Sequence, residues 1–366
     1  MPFCQVGCYA RFDREARFGV SLTGLPTMVD TPPLIERLLR ELKQAAPAPR
    51  SGAQMGRALG VSRTAVWKQV QALRRLGYGI EATTRVGYRL VQVPDRLYAW
   101  EVRAGLRTER CGQRVHHLDV TGSTQDEARA LAEAGEPEGT LIVAEEQRSP
   151  RGRLGRSYVS PRGGLWFSLL LRPRRPPGEV VVLSLLAAVG VHQAIEEVTG
   201  LRPAVRWPND LLIDGRKIVG ILVELASEGD LLRYVIVGVG VNVNLTERDF
   251  PPELRPIATS LSQVLGHEVS RVSLLQRIME RMESLYDRYL EAGPGIIIDS
   301  WRALPTLLGQ RITVEELNER WQGTAVDLDG DGALLVRTDD GAIRRLLAGD
   351  VRIVEQPEKP ERAAAR

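Results

Sequence analysis

The stretch Gln147-Arg-Ser-Pro-Arg-Gly-Arg-Leu-Gly-Arg-Ser-Tyr-Val-Ser-Pro161 sets four arginines, at 148, 151, 153 and 156, among two glycines and two prolines. It is too interrupted to be a helix. Gly152 and Gly155 let backbone approach a ligand, while guanidinium forks present fixed donors to carboxylate or phosphate, so the chemistry on offer is anion capture. A solvated basic loop is the plainer alternative. Lysine occurs only at 43, 68, 217 and 359, so a lysine within a suspected site stands out from an arginine background. Lys217 lies in Asp214-Gly-Arg-Lys-Ile-Val-Gly-Ile-Leu-Val-Glu224, a hairpin turn leading into a strand that carries Gly220 in its interior. Tyr234 to Asn244 is a second such strand, with Gly238 and Gly240 alternating on one face. Glycine within a strand weakens it unless something must approach closely. These strands and the basic loop predict a pocket with glycines below, arginines above and one lysine alongside; tight packing on a helix is the alternative for the glycines.

The surrounding elements are legible from periodicity and turn chemistry. Thr140 to Ala144 and Val115 to Val120 read as strands, and Thr121-Gly-Ser-Thr-Gln-Asp126 leads into a helix with Ala128, Leu131 and Ala132 on its apolar face. Ser123 and Asp126 have capping spacing; a helix N-terminus also offers unpaired amides to a ligand. Gly163 to Leu171 is a buried-strand pattern that places Trp166 near the return of the basic loop, where a core role is the ordinary one. Val180 to Thr199 is a long apolar helix whose His192 reads as structural. Val205-Arg-Trp-Pro-Asn-Asp-Leu-Leu-Ile213 is strand, turn, strand. Leu274 to Leu290 is a further helix with Leu275, Ile278, Met282, Leu285 and Tyr289 inward, and Leu308 to Val354 alternates like a small SH3-like β-barrel with turns at Asp329-Gly-Asp-Gly332 and Asp339-Asp-Gly341.

Upstream, Leu34, Ile35, Leu38, Leu39 and Leu42 share a helical face, Ser51 caps a helix over 52–59, and Ser62 caps a third helix that buries Val66, Val70, Leu73 and Leu76. Arg63, Thr64, Trp67, Lys68, Gln71 and Arg74 project from that third helix, and a hairpin from Ile80 to Leu90 adds Arg85. This is the layout of a winged helix-turn-helix that reads DNA; a small helical packing domain is the alternative. The net charge of +3 confines any nucleic-acid surface to such a patch. No apolar run reaches membrane-spanning length and no signal peptide opens the chain, so a cytoplasmic protein without a membrane partner is expected. Cys4, Cys8 and Cys111 form neither a disulfide framework nor a zinc site. Residues 1–30 are expected to be a disordered extension, with Met28 an alternative start, and 356–366 a polar tail.

Ser123-Thr124, Gln147, Arg151-Gly-Arg-Leu-Gly-Arg156, Trp207-Pro-Asn-Asp210, Arg216-Lys217 with Gly220-Ile-Leu222, and Gly238-Val-Gly-Val-Asn242 together resemble the bifunctional biotin protein ligases, in which a winged helix-turn-helix repressor domain is joined to a ligase. The resemblance implies an α+β multidomain chain: a winged helix over 31–93, a class II synthetase-like biotin/lipoate ligase domain with a mixed sheet over 94–305, and an SH3-like domain over 306–355. It implies activation of biotin with ATP and Mg2+ to biotinyl-5′-AMP and transfer to a lysine of a biotin carboxyl carrier protein. By position, Ser123, Thr124, Gln125, Gln147, Gly152, Gly220, Leu222, Gly238 and Gly240 resemble the biotin cradle. Arg151, Arg153 and Arg156 resemble the adenylate-holding loop, the first two also touching biotin and serving catalysis. Trp166, Asn209 and Asn242 resemble adenylate contacts, Lys217 the lysine that bridges carboxylate and α-phosphate, and Asp210 is the candidate base for the acceptor amine. No protein side chain is implied as a metal ligand; Mg2+ enters with ATP. Joining a carboxylate to a triphosphate needs fixed cations rather than a protein nucleophile, which agrees with the residues present. The resemblance also implies operator DNA as partner and a homodimer through the central sheet when the adenylate is bound. Gln125 stands where many relatives have Asn, lengthening the side chain at the pocket mouth, and Pro150 stands where Gly is usual. Three alternatives stay open: a lipoate-type ligase, a ligase whose winged domain no longer regulates, and a metabolite-sensing transcription factor without catalysis.

Overall fold

The computed structural model describes residues 33–152, 158–229, 231–316, 319–347 and 349–354. The expected N-terminal extension with its alternative start, the tail, and the loop arginines Arg153 and Arg156 lie outside the described residues.

The first unit comprises α1 (Pro33–Ala45), α2 (Gly52–Leu59), α3 (Arg63–Arg75) and the hairpin β1 (Gly79–Thr83) and β2 (Gly87–Gln92). Ser51 and Gln54 form a reciprocal capping box that starts α2, and Gly60, at φ 70, ends it in the left-handed region. Ser62 Oγ accepts from the Ala65 amide to start α3. Gly56 is required by the turn, since a Cβ there would stand 2.8 Å from the Val61 carbonyl. Leu38, Leu42, Met55, Val66, Val70 and Leu73 form its core.

The next segment belongs to two cores at once. Around α4 (Ala99–Ala104), Tyr98 and Trp100 are buried in the winged-helix cluster, whereas Leu97 and Val102 are buried in the central cluster. Glu101 is buried between them, accepting from Tyr78 Oη at 2.5 Å and Lys43 Nζ at 2.6 Å, and the Gln276 amide holds the carbonyls of 101 and 102. Residues 97–102 thus tie the winged unit to the central domain by packing rather than by a free linker.

The central sheet has β3 (Val115–Leu118), β4 (Leu141–Ala144), β5 (Leu165–Leu171), β6 (Ala204–Arg206), β7 (Asp210–Ile213), β8 (Arg216–Glu228) and β9 (Leu231–Val241) in the order β3-β4-β5-β9-β8-β7-β6, with β3 and β4 parallel and the other pairs antiparallel. The predicted first strand ends at Leu118, two residues early, because the chain then turns toward its helix. On one face, Tyr234 and Ile236 of β9 pack under α5 (Thr124–Glu133). Two residues on, the same face drops to Gly238 and Gly240, just where α5 begins, so a recess opens.

The opposite face is covered by α6 (Val180–Thr199) and α8 (Arg271–Ala292), with α7 (Leu261–Leu265) and α9 (Gly295–Arg302) at its margins. Helix α9 is not among the elements expected from the sequence. Contrary to the expectation of no apolar run of membrane-spanning length, Pro177–Thr199 is long and apolar enough by composition; 76% of that window is buried here, which makes it a core helix. His192 is fully buried, with Nδ1 at 2.8 Å from the Pro203 carbonyl, as a structural histidine.

Strands β10 (Arg311–Glu315), β11 (Arg320–Leu328), β12 (Leu334–Arg337), β13 (Ile343–Leu346) and β14 (Asp350–Ile353) pair antiparallel in the order β13-β12-β11-β10-β14. This SH3-like unit shares the central hydrophobic cluster, and its turn at 329–332 receives Trp207 Nε1, which donates to the Gly332 carbonyl at 3.0 Å.

Candidate active site

Cross-strand register assembles the floor. Gly220 lies opposite Gly240, Leu222 opposite Gly238, and β5 supplies Trp166 and Ser168 beside the last two glycines. Side chains at these glycines have no room. A Cβ at Gly238 would stand 2.8 Å from the Gln125 amide carbon, one at Gly240 3.0 Å from the Tyr158 ring, and one at Gly220 3.0 Å from Lys217 Nζ. The recess is walled by Ser123, Thr124, Gln125, Gln147, Pro150, Arg151, Gly152, Tyr158, Asn209, Lys217 and Leu222 as well as the three glycines. A Gly240→Val variant should weaken binding of the small ligand that the recess takes by at least about tenfold, since the added γ-carbons fill the slot beside two packed rings. Isothermal titration checks it, and unchanged affinity would remove the glycine floor from recognition.

One end of the recess is a directed polar cluster. Gln147 Oε1 accepts from the Thr124 amide at 2.8 Å and from its hydroxyl at 3.1 Å, while Gln147 Nε2 donates to Ser160 Oγ at 3.0 Å. Ser168 Oγ reaches Thr124 Oγ1 at 2.9 Å and Gln125 Oε1 at 3.1 Å. Ser123 Oγ accepts from the Gln125 amide, so its role as helix cap is realised at the wall of the pocket. Gln125 is not at the mouth as expected: it is 5% exposed, and its Nε2 donates to the Leu222 carbonyl, because the space above Gly238 accepts the longer side chain.

The other end is cationic. Lys217 Nζ and Arg206 Nη2 share the Asp210 carboxylate at 2.6 and 2.5 Å. Burial alone would raise the Asp210 carboxyl, but these two cations hold it below its ordinary value. Asp210, expected as the base for the acceptor amine, stands here as the counter-ion that anchors Lys217. The Lys217 ammonium also lies 5.6 Å from the centroid of the Tyr158 ring, within cation–π range.

Two expected contacts stand behind the wall instead of on it. Trp166 is fully buried and donates from Nε1 to the Pro161 carbonyl at 2.8 Å, bracing the return of the basic loop. Asn242 donates from Nδ2 to the Thr259 and Lys217 carbonyls at 2.9 and 3.3 Å, which fixes the backbone that presents Lys217. Asn209 does line the recess, but its Nδ2 is engaged with the Ile221 carbonyl at 2.7 Å. Arg151 pairs with Asp126 at the rim. Tyr158, on the wall, was not among the expected residues, nor was Ser168, which stands behind the wall and holds Thr124 and Gln125. Ser168 carried a signal, as the one polar residue in the run Leu165–Leu171; Tyr158 carried none beyond its place at the end of the loop.

On the winged unit, Arg63, Thr64 and Lys68 are exposed, Trp67 is 50% exposed and Gln71 half-buried on α3, and Arg85 stands exposed at the wing tip with φ 68. Arg74 departs from the expected outward set. Its Nε and Nη2 both donate to the Ile80 carbonyl, at 3.0 and 2.6 Å, so it clamps α3 to the wing.

The geometry thus pairs a polar cluster with a lysine at opposite ends of a glycine-floored recess, which suits capture of an anionic ligand, and it sets this beside a winged unit whose third helix exposes Arg63, Thr64, Trp67 and Lys68. Residues 118–242 match the Biotin/lipoate A/B protein ligase family, 35–89 an HTH domain, and 307–353 the Biotin protein ligase C terminal domain. The bifunctional ligase/repressor BirA of Bacillus subtilis is 44% identical over 304 residues, 83% of this chain and 93% of that protein. The bifunctional ligase/repressor BirA of Escherichia coli is 27% identical over 303 residues, 82% of this chain and 92% of that one. The structure of the biotin protein ligase from Aquifex aeolicus in complex with biotin and ATP is similar with a TM-score of 0.58 and 30% identity, covering 67% of this chain and 100% of that chain. The chain belongs to the bifunctional biotin ligase/repressor family.

Proposed function

We propose that this protein joins biotin to one lysine of a biotin carboxyl carrier protein through biotinyl-5′-AMP, and that the occupied site governs operator binding by the winged helix in the cytoplasm. The observation that carries the chemistry is the cationic cluster at Lys217 beside a glycine floor. The polar cluster of Thr124, Gln147, Ser168 and Gln125 would receive the ureido group, whose donors and acceptors need directed partners. The valeryl chain would lie over Gly220, Gly238 and Gly240 and bring its carboxylate to Lys217.

In the first half-reaction a carboxylate oxygen attacks the α-phosphorus and the bond to the pyrophosphate oxygen breaks. Lys217, together with Arg151, Arg153 and Arg156 from the loop, would offset the charge that accumulates. In the second, the carrier's amine attacks the acyl carbon and AMP departs with the bonding pair. Asp210 is too firmly paired to take the proton, so desolvation of the incoming amine is the better account of its neutral form. Mg2+ would be held chiefly by the ATP phosphates, as is usual for that ion.

For regulation, residues 97–102, which enter both the central and the winged cores, would carry the coupling, and adenylate binding would favour a homodimer through the central sheet that spans two half-sites. Incubation with biotin, ATP, Mg2+ and carrier protein should yield a streptavidin-reactive carrier, and biotin with ATP should tighten binding to the protein's own upstream DNA. Labelling by lipoate in place of biotin would establish the lipoate-type alternative. Operator affinity indifferent to biotin and ATP would remove the coupling while leaving the ligase.

A further inference from the structure

Arg206 does not line the recess, yet it is linked to it by register. The β6–β7 hairpin sets Arg206 opposite Asp210, and β8 sets Asp210 opposite Gly220, which itself faces Gly240. One row across the sheet therefore runs from a guanidinium through a carboxylate to the glycine floor. The carboxylate of Asp210 has its two oxygens on different cations, Oδ2 on Arg206 and Oδ1 on Lys217. Its side chain is 12% exposed, against 30% for Arg206 and 28% for Lys217, so water screens the anion less than it screens either partner.

Charge counting gives the consequence. Lys217 and Asp210 alone make a neutral pair, in which the ammonium is claimed by a carboxylate 2.6 Å away and offers little field to another anion. Adding Arg206 leaves the cluster with a net charge of +1 and divides the carboxylate between two donors. We propose that Arg206 is a positioning residue for adenylation: it neutralises Asp210 so that the charge of Lys217 is delivered to the biotin carboxylate and α-phosphate. The inference rests on the biotin-adenylating reading of this pocket. Asp210 holds the ammonium at the floor, Arg206 prevents that hold from silencing it, and no other protein cation contacts Asp210 among the described residues.

The test is single-turnover formation of biotinyl adenylate by the full chain, read as pyrophosphate release. Arg206→Gln should slow it on the order of 10- to 100-fold, with the melting temperature nearly unchanged because Asp210 keeps Lys217 as a partner. Arg206→Lys, which keeps the charge without the fork, should stay within about fivefold of wild type. The discriminating variant is Arg206→Gln combined with Asp210→Asn. Once the anion is gone its neutraliser is no longer needed, so the double variant should recover at least about tenfold over Arg206→Gln. A purely structural role predicts the opposite, a double variant as slow as the single or slower. Arg206→Gln at wild-type rate, or no recovery in the double variant, overturns the proposal. Should Arg206→Gln fail to fold, Arg206→Lys carries the test, and a rate more than about tenfold below wild type overturns it. If the wild-type chain releases no pyrophosphate from biotin and ATP, it is the functional reading that fails, so the two failures are distinguishable.

Discussion

Replacing Lys217 with alanine is expected to lower adenylate formation by at least about a thousandfold, the scale of losing a charge aimed at the reacting oxygens in a site that excludes water. The side chain is placed for this by three restraints that do not depend on it. The Lys217 amide donates to the Ile257 carbonyl, its carbonyl accepts from the Thr259 amide, and Asn242 caps the same carbonyl. The ammonium alone makes the contacts that alanine would remove, to Asp210 and the Tyr158 ring. Asp210 keeps Arg206 as a partner, so the variant should unfold within about 1 kcal/mol of wild type. Rate and stability therefore separate: pyrophosphate release collapses while the denaturation midpoint holds. Near-normal release would take Lys217 out of the chemistry.

The largest expected effect on stability lies away from the pocket, at Arg271. Its guanidinium is 5% exposed, pairs with Glu145 at 2.9 Å and Asp95 at 2.8 Å, and donates to the Gly164 carbonyl at 3.0 Å. Glu145 is itself 2% exposed and accepts from the Leu97 amide at 2.9 Å, with His117 and Arg96 close by. Arg271→Ala leaves that carboxylate buried without its main cation and should cost about 3 kcal/mol or more. It also removes the guanidinium contacts to Asp95, just before the segment shared by the two cores, so the winged unit should lose protection from proteolysis first.

The pH dependence has a definite sign. Burial alone would raise the Glu145 carboxyl, but His117, Arg271, the Leu97 amide and Arg96 hold it down at about 2, against an ordinary value of 4.5. A carboxyl depressed in the folded state contributes stability that is fully present above its unfolded value and is lost as pH falls through the folded one. The gap between wild type and Arg271→Ala should thus be full above about pH 4.5 and close as pH falls toward 2. Urea midpoints taken across that range check it; a constant gap would mean that Glu145 does not transmit the effect.

Most elements were readable because their signals are local. Ser51 with Gln54 and Ser62 with Ala65 mark helix starts within four residues, Asp214-Gly215 marks a hairpin, and the alternation of Gly238 and Gly240 places both on one face of a strand. The site was readable to the extent that it is made of such signals: Ser123, Thr124, Gln147, Lys217 and the three glycines do meet. Trp166 and Asn242 were placed one layer too far forward, because strand alternation gives a face but not the depth of packing around it. Arg74 was read as outward from helical phase alone, which is blind to an acceptor such as the Ile80 carbonyl on a neighbouring strand.

By itself, then, the sequence determined the order of the three units, the helix caps and turns, the rarity of lysine that singles out Lys217, and the glycine spacing of the floor, all consequences of chemistry between near neighbours. Only the tertiary structure decided that Gly220 faces Gly240, that Asp210 is divided between Lys217 and Arg206, that Tyr158 closes the wall, and that Leu97 and Val102 enter one core while Tyr98 and Trp100 enter another. These depend on register and on contacts between distant segments, where a shift of one residue would reverse every side chain and leave the local pattern unchanged.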